Sequence, residues 1–137
     1  MAKTLYLISG IPGSGKSTLA MNLLKAGVAS VFFEADQYFT KNGEYKFDSS
    51  KISEAHEECF FKTFDAMCRG LNIIVANTFT KDVFINKYIA LAKKSEYNII
   101  EIVMKSTFDS IHQVPPSTVN NMKLQLQQRL NSDWALM

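Results

Sequence analysis

Apolar residues along the chain fall into short runs of strand length separated by longer stretches in which they recur every three or four positions. The runs Leu5-Tyr6-Leu7-Ile8 and Val31-Phe32-Phe33 predict buried strands near residues 4–9 and 31–33. Residues 71–76 form a nearly continuous apolar run suited to the interior of a parallel sheet, and residues 97–104 predict a fourth strand. Between these runs the period changes to that of a helix. Good helix formers from Gly15 to Ala26 stop at Gly27. Ile52, Ala55, Cys59, Phe60, Phe64 and Met67 mark an inward stripe on a helix over 51–69, with Asp48, Ser49 and Ser50 offering caps before it and Gly70 after it. Thr80 can cap a third helix to Lys94, with Val83, Phe84, Tyr88 and Leu91 inward. Pro115-Pro116 breaks the chain before a last helix, where Val119, Met122, Leu126 and Leu130 repeat at core spacing. Lys41-Asn42-Gly43-Glu44 is a turn signal inside an expected loop over 40–50.

Strand and helix alternating four times predict an α/β fold, with a parallel sheet of four to five strands covered by helices on both faces. In such sheets ligands bind beyond the carboxyl ends of the strands. The residues just after each strand therefore carry the candidate chemistry.

After the first strand comes Gly10-Ile11-Pro12-Gly13-Ser14-Gly15-Lys16-Ser17-Thr18, a complete phosphate-binding P-loop with a strand before it and a helix after it. Glycines let backbone N–H groups turn inward around an anion, and the helix N-terminus adds partial positive charge. Lys16 is placed to reach the β- and γ-phosphates, and the Ser17 hydroxyl to take a position on Mg²⁺. The loop predicts a site for a nucleoside triphosphate. After the second strand comes Glu34-Ala35-Asp36-Gln37-Tyr38, where Asp36 would face the P-loop and either accept a proton from an attacking hydroxyl or contact Mg²⁺ through water. After the third strand comes Ala76-Asn77-Thr78-Phe79, which lacks the acid many P-loop proteins use there to hold Mg²⁺. Asp36 is thus the expected principal carboxylate of the site.

Composition narrows the alternatives. The chain has 137 residues, 47% hydrophobic and 20% charged, which fits one globular domain over 1–137. Its net charge of +2 is too small to argue by itself for a nucleic-acid coat protein. Lys81, Lys87, Lys93 and Lys94 are expected on a solvated outer face. No apolar stretch reaches membrane-spanning length, and Met1-Ala2-Lys3-Thr4 runs straight into the first strand, so a cytoplasmic location is expected. Cys59 and Cys68 lie nine positions apart in one predicted helix, on opposite faces, and each is expected to be a buried structural thiol.

Taken together, these motifs resemble the P-loop kinase-type family that contains polynucleotide 5′-hydroxyl kinase domains and their stand-alone ATP-binding relatives, an AAA-type P-loop ATPase domain. The resemblance rests on Gly10 to Thr18, on Asp36-Gln37-Tyr38, on Gly43 to Asp48 with Ala55-His56, on Asn77-Thr78, and on His112-Gln113-Val114-Pro115 followed by Met122. It implies ATP and Mg²⁺ as ligands, Asp36 as general base, and Asn77 as a group that positions the acceptor or metal-bound waters. The acceptor it implies is a 5′-hydroxyl of RNA or DNA. His56 either lines the acceptor groove or packs within its helix; Tyr38 and Tyr45 either stack on the substrate or pack as core aromatics.

The chain departs from the family in its lid. A shortened lid is expected at about 105–115, and Lys105 to Ile111 holds no arginine to stabilise the transferred phosphoryl group. Arg69 is expected at the far end of the sheet and Arg129 about two turns into the last helix, leaving Lys105 as the substitute. Three functions follow: a kinase acting on a polynucleotide 5′-hydroxyl, a kinase acting on a small metabolite, or an ATP-binding regulatory or interaction module that transfers nothing.

Overall fold

The computed structural model describes residues 3–105, 122, 124–126 and 129. In chain order the elements are β1 (Thr4–Ser9), α1 (Lys16–Lys25), β2 (Val31–Phe33), a 3₁₀ turn (Ala35–Phe39), β3 (Thr40–Lys41), β4 (Glu44–Tyr45), a second 3₁₀ turn (Ser49–Lys51), α2 (Ile52–Cys68), β5 (Ile73–Asn77), α3 (Asp82–Lys94) and β6 (Asn98–Val103). Beyond β6, the described residues 122, 124–126 and 129 are helical. The expected lid and the His112 to Pro115 segment lie outside the described residues, apart from Lys105. Among the described residues no helix is long and apolar enough to cross a membrane.

Four strands form a parallel sheet in the order β2-β5-β1-β6. Strand side chains alternate between faces, and the two faces bury different helices. Leu5, Leu7, Ile73 and Val75 share a core with Ala55, Cys59, Ala66 and Met67 of α2 and Ile85, Tyr88 and Ala92 of α3. Ile8, Ile74 and Ala76 share the opposite core with Ala20 of α1. Each fully buried Leu, Ile or Val contributes about 2 kcal/mol. The inner strands β1 and β5 read as apolar runs because both faces are covered, while the edge strand β6 leaves Asn98, Ile100 and Glu101 exposed.

Both long helices bury much of the expected stripe, with Ala55, Cys59, Met67 and Tyr88 buried and Phe60 and Leu91 packed on the core, but its edges turn outward. Ile52, Phe64, Val83 and Phe84 are exposed, while α3 buries Ile85, Tyr88 and Ala92. Neighbouring stripes satisfy the same helical period, and the small Ala92 lets α3 approach the sheet. On α2 the buried stripe includes Thr63, whose hydroxyl donates to the Cys59 carbonyl at 2.8 Å and so carries no unsatisfied donor. Cys68 is exposed, not buried, because it lies on the face opposite Cys59.

The expected loop over 40–50 contains a hairpin. Asn42 and Gly43 take positive φ of 54° and 76°, the type I′ turn that matches strand twist, and Thr40 pairs with Tyr45. This hairpin carries Tyr45 back toward the 3₁₀ turn that follows β2.

Candidate functional site

β1 lies between β5 and β6, so Gly10 leaves the middle of the sheet and starts the loop that ends in α1. The loop closes tightly on itself. The Ser14 amide donates to the Ile11 carbonyl at 3.2 Å, and a Cβ at Gly10 would lie 2.4 Å from the Ser14 hydroxyl. A side chain there would displace the Ser14 hydroxyl and crowd Met104. Gly15, with φ of 90°, turns the chain into α1 as its N-cap. No side chain caps that helix and its first turn holds no acid, so its N–H groups and dipole are available to an anion. Ser14 is fully buried, and its hydroxyl has no hydrogen-bond partner among the described residues. A glycine-walled turn, an uncapped helix start and an orphaned hydroxyl form a cradle that fits phosphate. Pro12 and Gly13 are half-buried in this loop, and Thr18 is exposed on the first turn of α1.

Lys16 donates from Nζ to the Ile11 carbonyl at 3.0 Å. Burial lowers its pKa to about 8, against the opposing pull of the Glu34 and Asp36 carboxylates. Both acids are thus near enough to act on the P-loop lysine. Ser17 donates its hydroxyl hydrogen to Glu34 Oε2 at 2.8 Å. Asp36 sits in the first turn of the 3₁₀ segment, where its Oδ1 accepts from the Tyr45 hydroxyl at 2.7 Å. Burial, followed by the bond to Asp36, pushes the Tyr45 phenol well above its ordinary pKa.

Asn77 ends β5 and joins the two strand ends. Its Oδ1 accepts from the Ala35 amide at 2.9 Å, and its Nδ2 points to Cys59 Sγ at 3.7 Å. The Ala35 amide would otherwise be a buried, unsatisfied donor directly beside Asp36. Tyr38 donates to Glu54 at 2.6 Å, and Phe39 packs edge-on against Tyr38, Tyr45 and Phe47. His56 stacks on Phe84 with ring centroids 6.1 Å apart, and burial together with the nearby Lys87 lowers its pKa.

Three functional contacts were not anticipated from sequence. Glu34, rather than Asp36, is the carboxylate on Ser17. Its signal was its place as the first residue beyond β2. Tyr45 orients Asp36, which the hairpin turn signal alone did not indicate. Arg129 is buried, donating from Nε to the Phe79 carbonyl at 2.9 Å and from Nη2 to Glu101 Oε1 at 2.9 Å and Ser9 Oγ at 3.5 Å. Arg69 is exposed and pairs with Asp65 at 3.4 Å. Among the described residues no group of three or more His, Cys, Asp or Glu side chains could hold a metal alone. A cation here would be shared between Ser17, a carboxylate after β2 and the phosphates.

Comparison with known proteins agrees with this geometry. A family model described as an AAA domain matches residues 5–129. Human NEDD4-binding protein 2 is 36% identical over 97 residues, 70% of this chain but 6% of that protein's length. The structure of a Pnkp1/Rnl/Hen1 RNA repair complex superposes with a TM-score of 0.74 at 17% identity, over 96% of this chain and 46% of the matched one. The Mycobacterium tuberculosis APS kinase CysC in complex with AMPPNP and APS superposes with a TM-score of 0.58 at 15% identity, over 88% of this chain and 68% of that one. The chain therefore spans under half of the first two proteins. With a P-loop at the centre of a parallel sheet and a family match over most of its length, the chain belongs to the AAA-domain family.

Proposed function

We propose that this protein transfers the γ-phosphoryl group of ATP to a hydroxyl acceptor, with Asp36 as general base. The observation that carries the reading is that Asp36 lies just beyond β2, at the same end of the parallel sheet as the P-loop, where its Oδ1 accepts from the Tyr45 hydroxyl at 2.7 Å. Lys16 and the amides of Gly13 to Thr18 would hold the β- and γ-phosphates. Ser17 and a carboxylate after β2 would hold Mg²⁺, whose charge offsets that of the phosphates. The acceptor oxygen attacks phosphorus, its proton passes to Asp36, and the β–γ bridging P–O bond breaks with its electron pair leaving on ADP. Asn77 supports the base indirectly by fixing the Ala35 amide next to it.

The acceptor favoured by the resemblance, and by likeness to an RNA repair protein, is a polynucleotide 5′-hydroxyl. A second reading, an ATP-binding module without transfer, is favoured by the arginines. Arg69 is tied to Asp65 on the surface, and Arg129 is committed within the fold. A third places a small metabolite at the acceptor position. Incubation with γ-labelled ATP and a panel of acceptors distinguishes them. Label on a 5′-hydroxyl oligonucleotide is the expected outcome, and label on small alcohols alone supports the metabolite. Label on nothing, with ATP bound in the same sample, would refute transfer.

A further inference from the structure

The last residues of β5 are Ala76 and Asn77, so this strand brings no carboxylate to the P-loop. Ala76 is buried in the same apolar cluster as Ile8 and Ala20, facing the helix whose first turn carries Ser17. An acid at that position would point toward the Ser17 end of α1. The neighbouring strand supplies one instead. Pairing of Phe33 with Val75 brings Glu34, the next residue, level with Ala76. Glu34 is one strand spacing further out, about 4.8 Å, and its side chain is one methylene longer than that of aspartate. It spans that gap, since Oε2 lies 2.8 Å from the Ser17 hydroxyl. Asp36 accepts from the Tyr45 hydroxyl at 2.7 Å.

We infer that Glu34 is the carboxylate that faces the divalent cation accompanying ATP, standing in for an acid missing from β5, and that Asp36 is thereby left for the acceptor hydroxyl. The two acids following β2 then divide the work: the first serves the cation with Ser17, the second serves proton transfer. The inference rests on the nucleotide-binding reading and adds to it the residue that sets cation dependence.

The test is equilibrium binding of ATP to the full chain by calorimetry, with Mg²⁺ titrated from none to saturation, for wild type, Glu34→Gln and Asp36→Asn. The half-saturating Mg²⁺ concentration should rise about tenfold or more in Glu34→Gln. Mg²⁺-free ATP binding by the same variant should stay equal or become tighter, since a negative charge beside the phosphates is gone, and this shows that the variant is folded. Asp36→Asn should keep the wild-type Mg²⁺ dependence within about twofold. Wild-type Mg²⁺ dependence in Glu34→Gln, or its loss in Asp36→Asn, would overturn the assignment. A wild-type chain that binds no ATP under any condition would overturn the nucleotide-binding reading itself, and this inference with it.

Discussion

Lys16 carries the charge that an anionic ligand meets first, and the fold holds that charge under strain. Burial disfavours its protonated form enough to bring its pKa down to about 8, even with Glu34 and Asp36 pulling the other way. Phosphate oxygens favour the protonated form, so the value must rise when ATP binds, and binding takes up a proton wherever the free lysine has lost one. ATP affinity should therefore be flat below about pH 7 and fall as pH rises through 8, by up to about tenfold per unit. Calorimetry in buffers of different ionisation enthalpy would detect the proton uptake directly. Lys16→Met should weaken binding at neutral pH and remove the slope; a slope that persists would mean another group titrates.

At the scale of elements, the site depends on how strand ends are tied together. The 3₁₀ turn that carries Asp36 is anchored at the Ala35 amide by the Asn77 carboxamide, across the gap between β2 and β5. Asn77→Ala leaves that buried amide without its acceptor, costing about 1–2 kcal/mol. If Asn77 positions the base, the phosphoryl-transfer rate should fall while ATP affinity stays near wild type. Equal loss of both, measured by single-turnover transfer and calorimetry on one preparation, would instead mean that the whole loop has collapsed. The hairpin works the same way from the other side. Its Asn42-Gly43 turn returns Tyr45 to within 2.7 Å of Asp36. The turn was legible in sequence because it needs residues that tolerate positive φ. The purpose of the turn was not, since the Asp36 contact depends on where the hairpin folds back.

At the scale of the molecule, local chemistry was legible and long-range closure was not. The inner strands followed from apolar runs, because strands covered on both faces need them. The cradle followed from its glycines, because a side chain at Gly10 would crowd Ser14 and Met104 and Gly15 takes a positive φ. Glu34 escaped notice because its partner Ser17 lies on α1, and the contact exists only once β5 is inserted between β1 and β2. Arg129 is the extreme case, reaching Ser9 across a sequence separation of 120 residues. It fastens the last described helical residues to the end of β1, the Phe79 carbonyl and β6. Arg129→Met should lower unfolding free energy by about 2 kcal/mol, discounted because Glu101 is partly exposed. A urea melt checks this; a change under about 0.5 kcal/mol would show that the ion pair contributes little.

In the proposed reaction Asp36 takes the proton of an acceptor hydroxyl while the P-loop holds ATP. Single-turnover transfer from γ-labelled ATP to a 5′-hydroxyl oligonucleotide, comparing wild type with Asp36→Asn at saturating ATP and Mg²⁺, tests it most directly. With Asp36 as the base, the transfer rate should fall about 10²-fold or more, with ATP affinity changed by less than about threefold. A variant that transfers phosphate at the wild-type rate would contradict it.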